Sequence, residues 1–431
     1  MKRAFDRRLG CAVIMLLFVT IASSGARAAP AQAGDPQLQE LVAEAMRNNP
    51  ELRAARNERD ASRHRVSPAG ALDDPMLEVG VLNAPVPSWS LNREDMTMKM
   101  LGLSQRIPFP GKRGLRQDVA AKDAEAVAYG YQETVNRVLR DVKVAYFELA
   151  FVAESAGLVE KNKRVLEQLL KISESRYAVG QGSQADVLKA QTQLSRMMDE
   201  RIKLSRERQA IEAELTRALG RGPEAGAPVP ETLRLRVAAL QLEPLREAAL
   251  NERPQLLGLK SLIDRSAKAL DLARKEYYPD IDVKLAYGQR DNTPEGMRRD
   301  DLVSLTLAIN LPVWRESKLD PRVAEAIAMR DQAMDMYQAQ ENEVSSKLRQ
   351  QVANAEQSLK SARLYETGIL PQARLAVESS LAAYKVNRVD FLTLLDNQMT
   401  VLNYEIGYAS AVSSYNKALA EIDLLVGRPA L

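Results

Sequence analysis

Apolar and polar positions in this chain follow two different periods. Ile281, Val283, Leu285 and Tyr287 alternate with Asp282, Lys284, Ala286 and Gly288. After the polar loop 290–301, Val303, Leu305, Leu307, Ile309 and Leu311 alternate with Ser304, Thr306, Ala308 and Asn310. A period of two is the signature of strands with one apolar face, so strands are predicted over 279–290 and 300–311. A less regular alternation predicts two more over 74–83 and 95–107, around the loop 84–89. Elsewhere the period is helical. Val135, Val138, Val142, Ala145, Leu149, Val152, Ala156 and Val159 keep three-four spacing, a coiled-coil seam with small residues that allow close approach. The surrounding helical pattern runs from Lys112 to Tyr177, and a second runs from Lys318 to Tyr384 with no proline before Pro371. Each would extend roughly 100 Å. The helical stretches before the strands and after the long helices are about half that length, so two of them end to end would line one long helix.

The pattern occurs twice. The stretch 41–52, with Glu44, Pro50 and Leu52, matches 245–256, with Glu247, Pro254 and Leu256, at an offset of 204. Ile107-Pro108 and Leu311-Pro312 stand at the same offset, and Tyr177 and Tyr384 at 207, as do Gly220-Arg221 and Gly427-Arg428. An offset held this closely predicts an internal duplication. The copies would be 29–221 and 244–431, joined by a linker at 222–243 that begins Pro-rich. In the first copy a helix is expected from Gln37 to Val66, interrupted by Pro50 and ended by Ser67-Pro68.

Each long helix runs into a residue that tolerates a left-handed backbone, Gly180 or Asn387, and a second helix begins within a few residues. These are helical hairpin tips, near 178–186 and 385–391. Ser183 or Gln184 would cap the helix after the first tip, and Asp390 the helix beginning at Phe391.

Charge and composition narrow the class. The formal net charge of +3 is carried by the N-terminus, since residues 1–28 hold Lys2, Arg3, Arg7, Arg8 and Arg27 against Asp6 alone. The remainder is nearly balanced, which argues against a nucleic-acid partner. That N-terminus has a basic start, an apolar run over 11–21 too short to span a bilayer, and a small-x-small site at Ala26-Arg27-Ala28. It reads as a cleaved signal peptide. Cys11, the one cysteine, lies before the run's end, so no lipid anchor and no disulfide are expected in the mature chain.

Little in the sequence suggests catalysis. His64 is the single histidine, and no nucleophile constellation, phosphate loop or metal-ligand spacing accompanies it, so no enzyme, cofactor or dedicated metal site is expected. Met96, Met98 and Met100 could form a soft-metal ladder, although a packed or lipid-facing stripe explains them better. Lys112, Arg113 and Arg116, after Pro108-Phe-Pro-Gly111, are expected at a solvated strand-to-helix junction.

Four strands are too few to close a barrel. If three chains each lend four, a barrel of about twelve closes with lipid outside and water within. The signal peptide, the duplicated strand-pair and long-hairpin plan, the Val179-Gly180 and Val386-Asn387 tips and the terminal Leu-Gly-Arg and Val-Gly-Arg repeats together resemble the TolC family of outer-membrane efflux proteins. The resemblance covers essentially the whole mature chain. It implies a mainly helical homotrimer: a β-barrel of four strands per chain in the outer membrane, continuous with a coiled-coil periplasmic tunnel. It further implies an exit duct engaged by a periplasmic membrane-fusion adaptor and an inner-membrane RND-type pump. On this resemblance Val179, Gly180, Gln181, Val386, Asn387 and Arg388 fall on the adaptor-contact turns, and Asp186 and Asp396 on gate aspartates. Asn387 stands where Gly is usual, Thr393 where an acid is common, and Val389 where a gate arginine occurs, so the latch is expected to be built differently. For Asp186, a helix-entry role and a place in a pore ring both remain open. The run 103–113 is similar to the branch serving heavy-metal exporters, with drugs or secreted proteins as alternatives. A non-porous periplasmic coiled-coil scaffold is the rival reading.

Overall fold

The computed structural model describes residues 35–428, apart from 223, 227, 229, 231 and 232. The signal-peptide reading lies outside the described residues. Helices α1 (Pro36–Asn48) and α2 (Pro50–Ala69) meet at Asn49, whose Oδ1 accepts from the N–H groups of Glu51 at 2.7 Å and Leu52 at 3.3 Å. Pro50 fits the first helical position because its missing N–H would have no partner there. The expected stop at Ser67-Pro68 is two residues early. Pro68 sits inside the last turn, which closes through Gly70 N–H to the Ser67 carbonyl.

The strands β1 (Met76–Leu82) and β2 (Met98–Ile107) lead into α3 (Lys112–Ala178), a helix of 67 residues, and the chain returns along α4 (Gln184–Leu219). The second half runs through α5 (Leu242–Glu252), α6 (Pro254–Lys275), β3 (Ile281–Gln289), β4 (Leu302–Ile309), α7 (Asp320–Leu364), α8 (Leu370–Lys385) and α9 (Phe391–Val426). The second long helix is therefore not uniform. It contains π-helical turns at Arg315–Leu319 and Tyr365–Ile369. The second of these turns precedes Pro371, whose missing N–H cannot serve the ladder. A π-turn carries an extra residue, and both lie in the interval over which the two halves drift from an offset of 204 to one of 207.

The four strands form one antiparallel sheet in the order β1-β2-β3-β4, leaving β1 and β4 as edges. Pairings such as Leu101 with Val79 and Tyr287, and Leu285 with Leu103 and Leu305, bring the odd-numbered apolar residues onto one face. That face is open: Val79 is 77% exposed and Leu305 68%. The other face carries mostly small and polar residues, with methionines towards the loop end of β2 and the Lys284 ammonium donating to Glu78 across Gly102.

The helices hold the core. Six of the eight predicted seam residues on α3 (Val138, Val142, Ala145, Leu149, Val152 and Val159) are buried, and Val135 and Ala156 pack at its border. One cluster joins α1 and α2 to α3 and α4, another joins α3 and α4 to α8 and α9, and a third joins α5 and α6 to α7 and α9. The two halves are tied by the buried Lys143–Asp423 ion pair and by Ser413 Oγ donating to the Phe147 carbonyl at 2.9 Å. The segment between them is strapped to α9: Asn416 donates to the Arg234 carbonyl, and Ala238 N–H donates to Tyr415 Oη.

Candidate functional site

Two ends of the molecule carry the residues of interest. At the far end of the helices, both hairpins turn by the same backbone device. In the first, Gln181 N–H donates to the Arg176 carbonyl at 2.8 Å and Gly180 has φ +73°. In the second, Arg388 N–H donates to the Ala383 carbonyl at 2.9 Å and Asn387 has φ +57°. A six-to-one bond around a left-handed residue is the usual helix stop, so Asn387 does the work of glycine. It is one of few non-glycine residues that can. Val179 and Val386 stand out from these turns, 66% and 63% exposed, beside exposed Gln181 and Arg388.

The returning helices are capped as the sequence suggested, with Ser183 rather than Gln184 in the first. Ser183 Oγ accepts from Asp186 N–H at 3.2 Å and the Asp186 carboxylate accepts from Ser183 N–H at 3.3 Å, a reciprocal capping box. Asp186 is thus engaged at a helix entry. Asp390 caps α9 through Thr393 N–H at 2.8 Å, and hydrogen bonds from the Thr393 side chain and N–H hold its carboxyl below the ordinary value. Asp396 is exposed on α9.

Sequence reasoning missed the residue that joins the tips. Arg176, in the last turn of α3, donates to the Tyr384 carbonyl at 3.2 Å and to Asn387 Oδ1, with its guanidinium 4.4 Å from the Tyr384 ring centroid. Tyr384 in turn packs on Phe391, both buried. A cation near a helix C-terminus usually serves its own carbonyls, and no local pattern marks this one as reaching the other hairpin.

At the opposite end, where sheet meets helices, the structure corrects the expectation of a solvated junction. Lys112 is buried, its Nζ donating to Asp280 Oδ1 at 2.7 Å and to the Tyr278 carbonyl at 2.8 Å. Arg113 and Arg116 are exposed as expected. Asp280 also accepts from Phe109 N–H at 2.9 Å and Arg106 at 3.1 Å. Burial alone would raise its pKa, yet the bonds from Lys112, Phe109 and Arg106 together hold the carboxyl below its ordinary value. Beside them Phe109 stacks on Tyr278 with centroids 4.6 Å apart. The junction thus needs two segments 166 to 174 positions apart, one from each half. The methionine ladder does not form: Met98 is buried against Gly288, and Met96 lies before β2 begins. Among the described residues no group of three or more His, Cys, Asp and Glu is placed to hold a metal ion, and no helix is long and apolar enough to cross a membrane.

A family model described as outer membrane efflux protein matches residues 41–221 and 245–428. The chain belongs to that family. It is an outer-membrane efflux channel, the exit duct of a tripartite system, and its family members are transport channels rather than enzymes. It is 23% identical over 403 residues to the cobalt-zinc-cadmium resistance protein CzcC of Cupriavidus metallidurans, covering 92% of this chain and 91% of that protein. It is 20% identical to the outer membrane protein TolC of Vibrio cholerae, covering 90% of each. In fold it superposes on the crystal structure of the outer membrane protein VceC from Vibrio cholerae with a TM-score of 0.77, at 17% identity, covering 91% of this chain and 96% of that one.

Proposed function

We propose that this efflux channel works as a homotrimer of a duplicated chain, in which three four-stranded sheets close a barrel of about twelve strands and the helices continue it as a periplasmic tunnel. The observation that carries this reading is the sheet itself, an open apolar face on strands whose two edges are unpaired. Such a sheet exposed to water would invite aggregation, whereas lipid on the face and a neighbour on each edge remove both liabilities. Purified protein should run as a heat-sensitive trimer on detergent gels and conduct in planar bilayers. A non-conducting monomer defeats the reading.

The hairpin tips form the periplasmic gate and the adaptor contact. The exposed turns Val179-Gly180-Gln181 and Val386-Asn387-Arg388 would meet the helical hairpin of a periplasmic adaptor that links the duct to an inner-membrane RND-type pump. Asp186 and Asp396, repeated about a threefold axis, would place rings of negative charge that favour cations. The double variant Asp186→Ala, Asp396→Ala should alter cation preference in single-channel records; unchanged records would remove the gate assignment. For cargo we favour divalent metal cations over drugs, on the strength of the run 103–113 and the near full-length likeness to a cobalt-zinc-cadmium resistance protein. Deleting the gene should then lower tolerance to zinc, cobalt or cadmium, and loss of drug tolerance alone would reverse the preference.

A further inference from the structure

Beneath the sheet the helices stand in a row, α2 on α3, α3 on α6 and α6 on α7, in the order of the strands above them. The row has two uncovered ends, α2 with β1 and α7 with β4. Its middle shows how the second half docks on the first. There Gly111, with φ +92°, leaves open a place 3.8 Å from the Lys275 ammonium, which itself lies 5.6 Å from the Phe109 ring and 5.5 Å from the Tyr278 ring. Carried across by the offset of 204, the corresponding junction between the uncovered ends puts Arg315 where Gly111 stands and Ala71 where Lys275 stands. Asp73 and Asp74 take the places of Tyr277 and Tyr278. The cation has moved from one side of the junction to the other, and the residue opposite it has become small. Two carboxylates have replaced two aromatic rings.

Arg315, Asp73 and Asp74 are exposed, and none makes an ion pair among the described residues. The helices below continue the theme. Arg53, Arg56 and Arg63 are exposed and without ion pairs on α2, and so are Glu325 and Asp335 in the first half of α7. At the level of the junction one uncovered end carries Asp73 and Asp74 and the other carries Arg315, flanked by Glu316 and Lys318; below it one carries Arg53, Arg56 and Arg63 and the other Glu325 and Asp335, so each level of one end is opposite in charge to the same level of the other. That is the arrangement of a head-to-tail contact between identical chains, which closes a ring.

We infer that these two ends are one interface whose occupant is a second copy of this chain, with Arg315 engaging Asp73 and Asp74 of the partner subunit and α7 lying on the partner's α2. The inference rests on the trimeric reading above and names the contact by which a subunit selects another of its own kind. It also sets a phase for the strands. The even register sum seen between β2 and β3 sets Ile309 of β4 beside Val79 of the partner's β1, apolar against apolar, and a slip of one residue would turn one apolar face inward.

The test uses the full chain with Cys11→Ser, assembled in liposomes. Arg315→Cys combined with Asp74→Cys should, on oxidation, give covalent dimers and trimers that survive boiling without reductant. Arg315→Glu should lower the trimer band on unheated gels by about fivefold, and adding Asp73→Lys and Asp74→Lys should restore most of it. An intact trimer band with no covalent species, or a charge reversal that the second change does not rescue, overturns the seam while leaving the trimer standing. A parent protein that runs as a monomer and does not conduct defeats the trimeric reading itself.

Discussion

The two ends of the helical bundle hold their polar contacts in opposite ways. Where the sheet joins the helices, Asp280 and Lys112 are both buried, and the carboxylate collects donors from Lys112, Arg106 and Phe109. At the hairpin tips, the Arg176–Asn387 bond is exposed to water and rests on a single side chain reaching between hairpins. A buried charge that loses its partner is costly, whereas an exposed pair exchanges its partner for water at little cost. In the proposed duct, the first end would stay assembled and the second would part. The proposed trimer, sealed in lipid at one end and opening towards the periplasm at the other, would need that asymmetry.

The largest expected effect comes from breaking the fixed end. Asp280→Ala would strand Lys112 in a buried site, and about 3–5 kcal/mol should be lost, read as a lower denaturant midpoint. Adding Lys112→Met should recover part of the loss. The same carboxylate sets a pH dependence. Because its folded pKa is depressed below the ordinary 3.8, its stabilisation is fully present above that value and is lost as pH falls through the depressed one. A midpoint that falls in acid for the parent chain and not for Asp280→Ala would confirm the assignment.

At the tips the effects should be smaller and local. Asn387→Val places a branched side chain at φ +57°, at a cost of roughly 1–2 kcal/mol, visible as faster amide exchange around 383–391 with the global midpoint unmoved. Arg176→Ala should cost less than about 1 kcal/mol of stability, yet raise the open fraction in single-channel records. A change in the global midpoint matching that of Asp280→Ala would abolish the contrast between the ends.

Much of the architecture is legible in the sequence. The strand alternation at 281–311 and the three-four spacing on α3 each follow from a side chain's need to hide one face, and that need is written along the chain with a fixed period. The tips were legible for a related reason: Gly180, Asn387, Ser183 and Asp390 act on backbone within a few residues of themselves. The helix ending at Ala69 and the π-turn before Pro371 were misjudged because a proline near a helix end, or beside an inserted residue, costs less than one in a regular interior.

Sequence alone therefore determined the elements, their order and their turns, all of them governed by contacts between near neighbours. What only the tertiary structure decided is which charges are enclosed. Lys112 and Asp280 are separated by 168 positions, and Arg176 and Asn387 by 211. Nothing local distinguishes Lys112 from the exposed Arg113 beside it. The environment of an ion depends on which distant backbone arrives to exclude water from it, and that is a property of the assembled halves rather than of either stretch of residues.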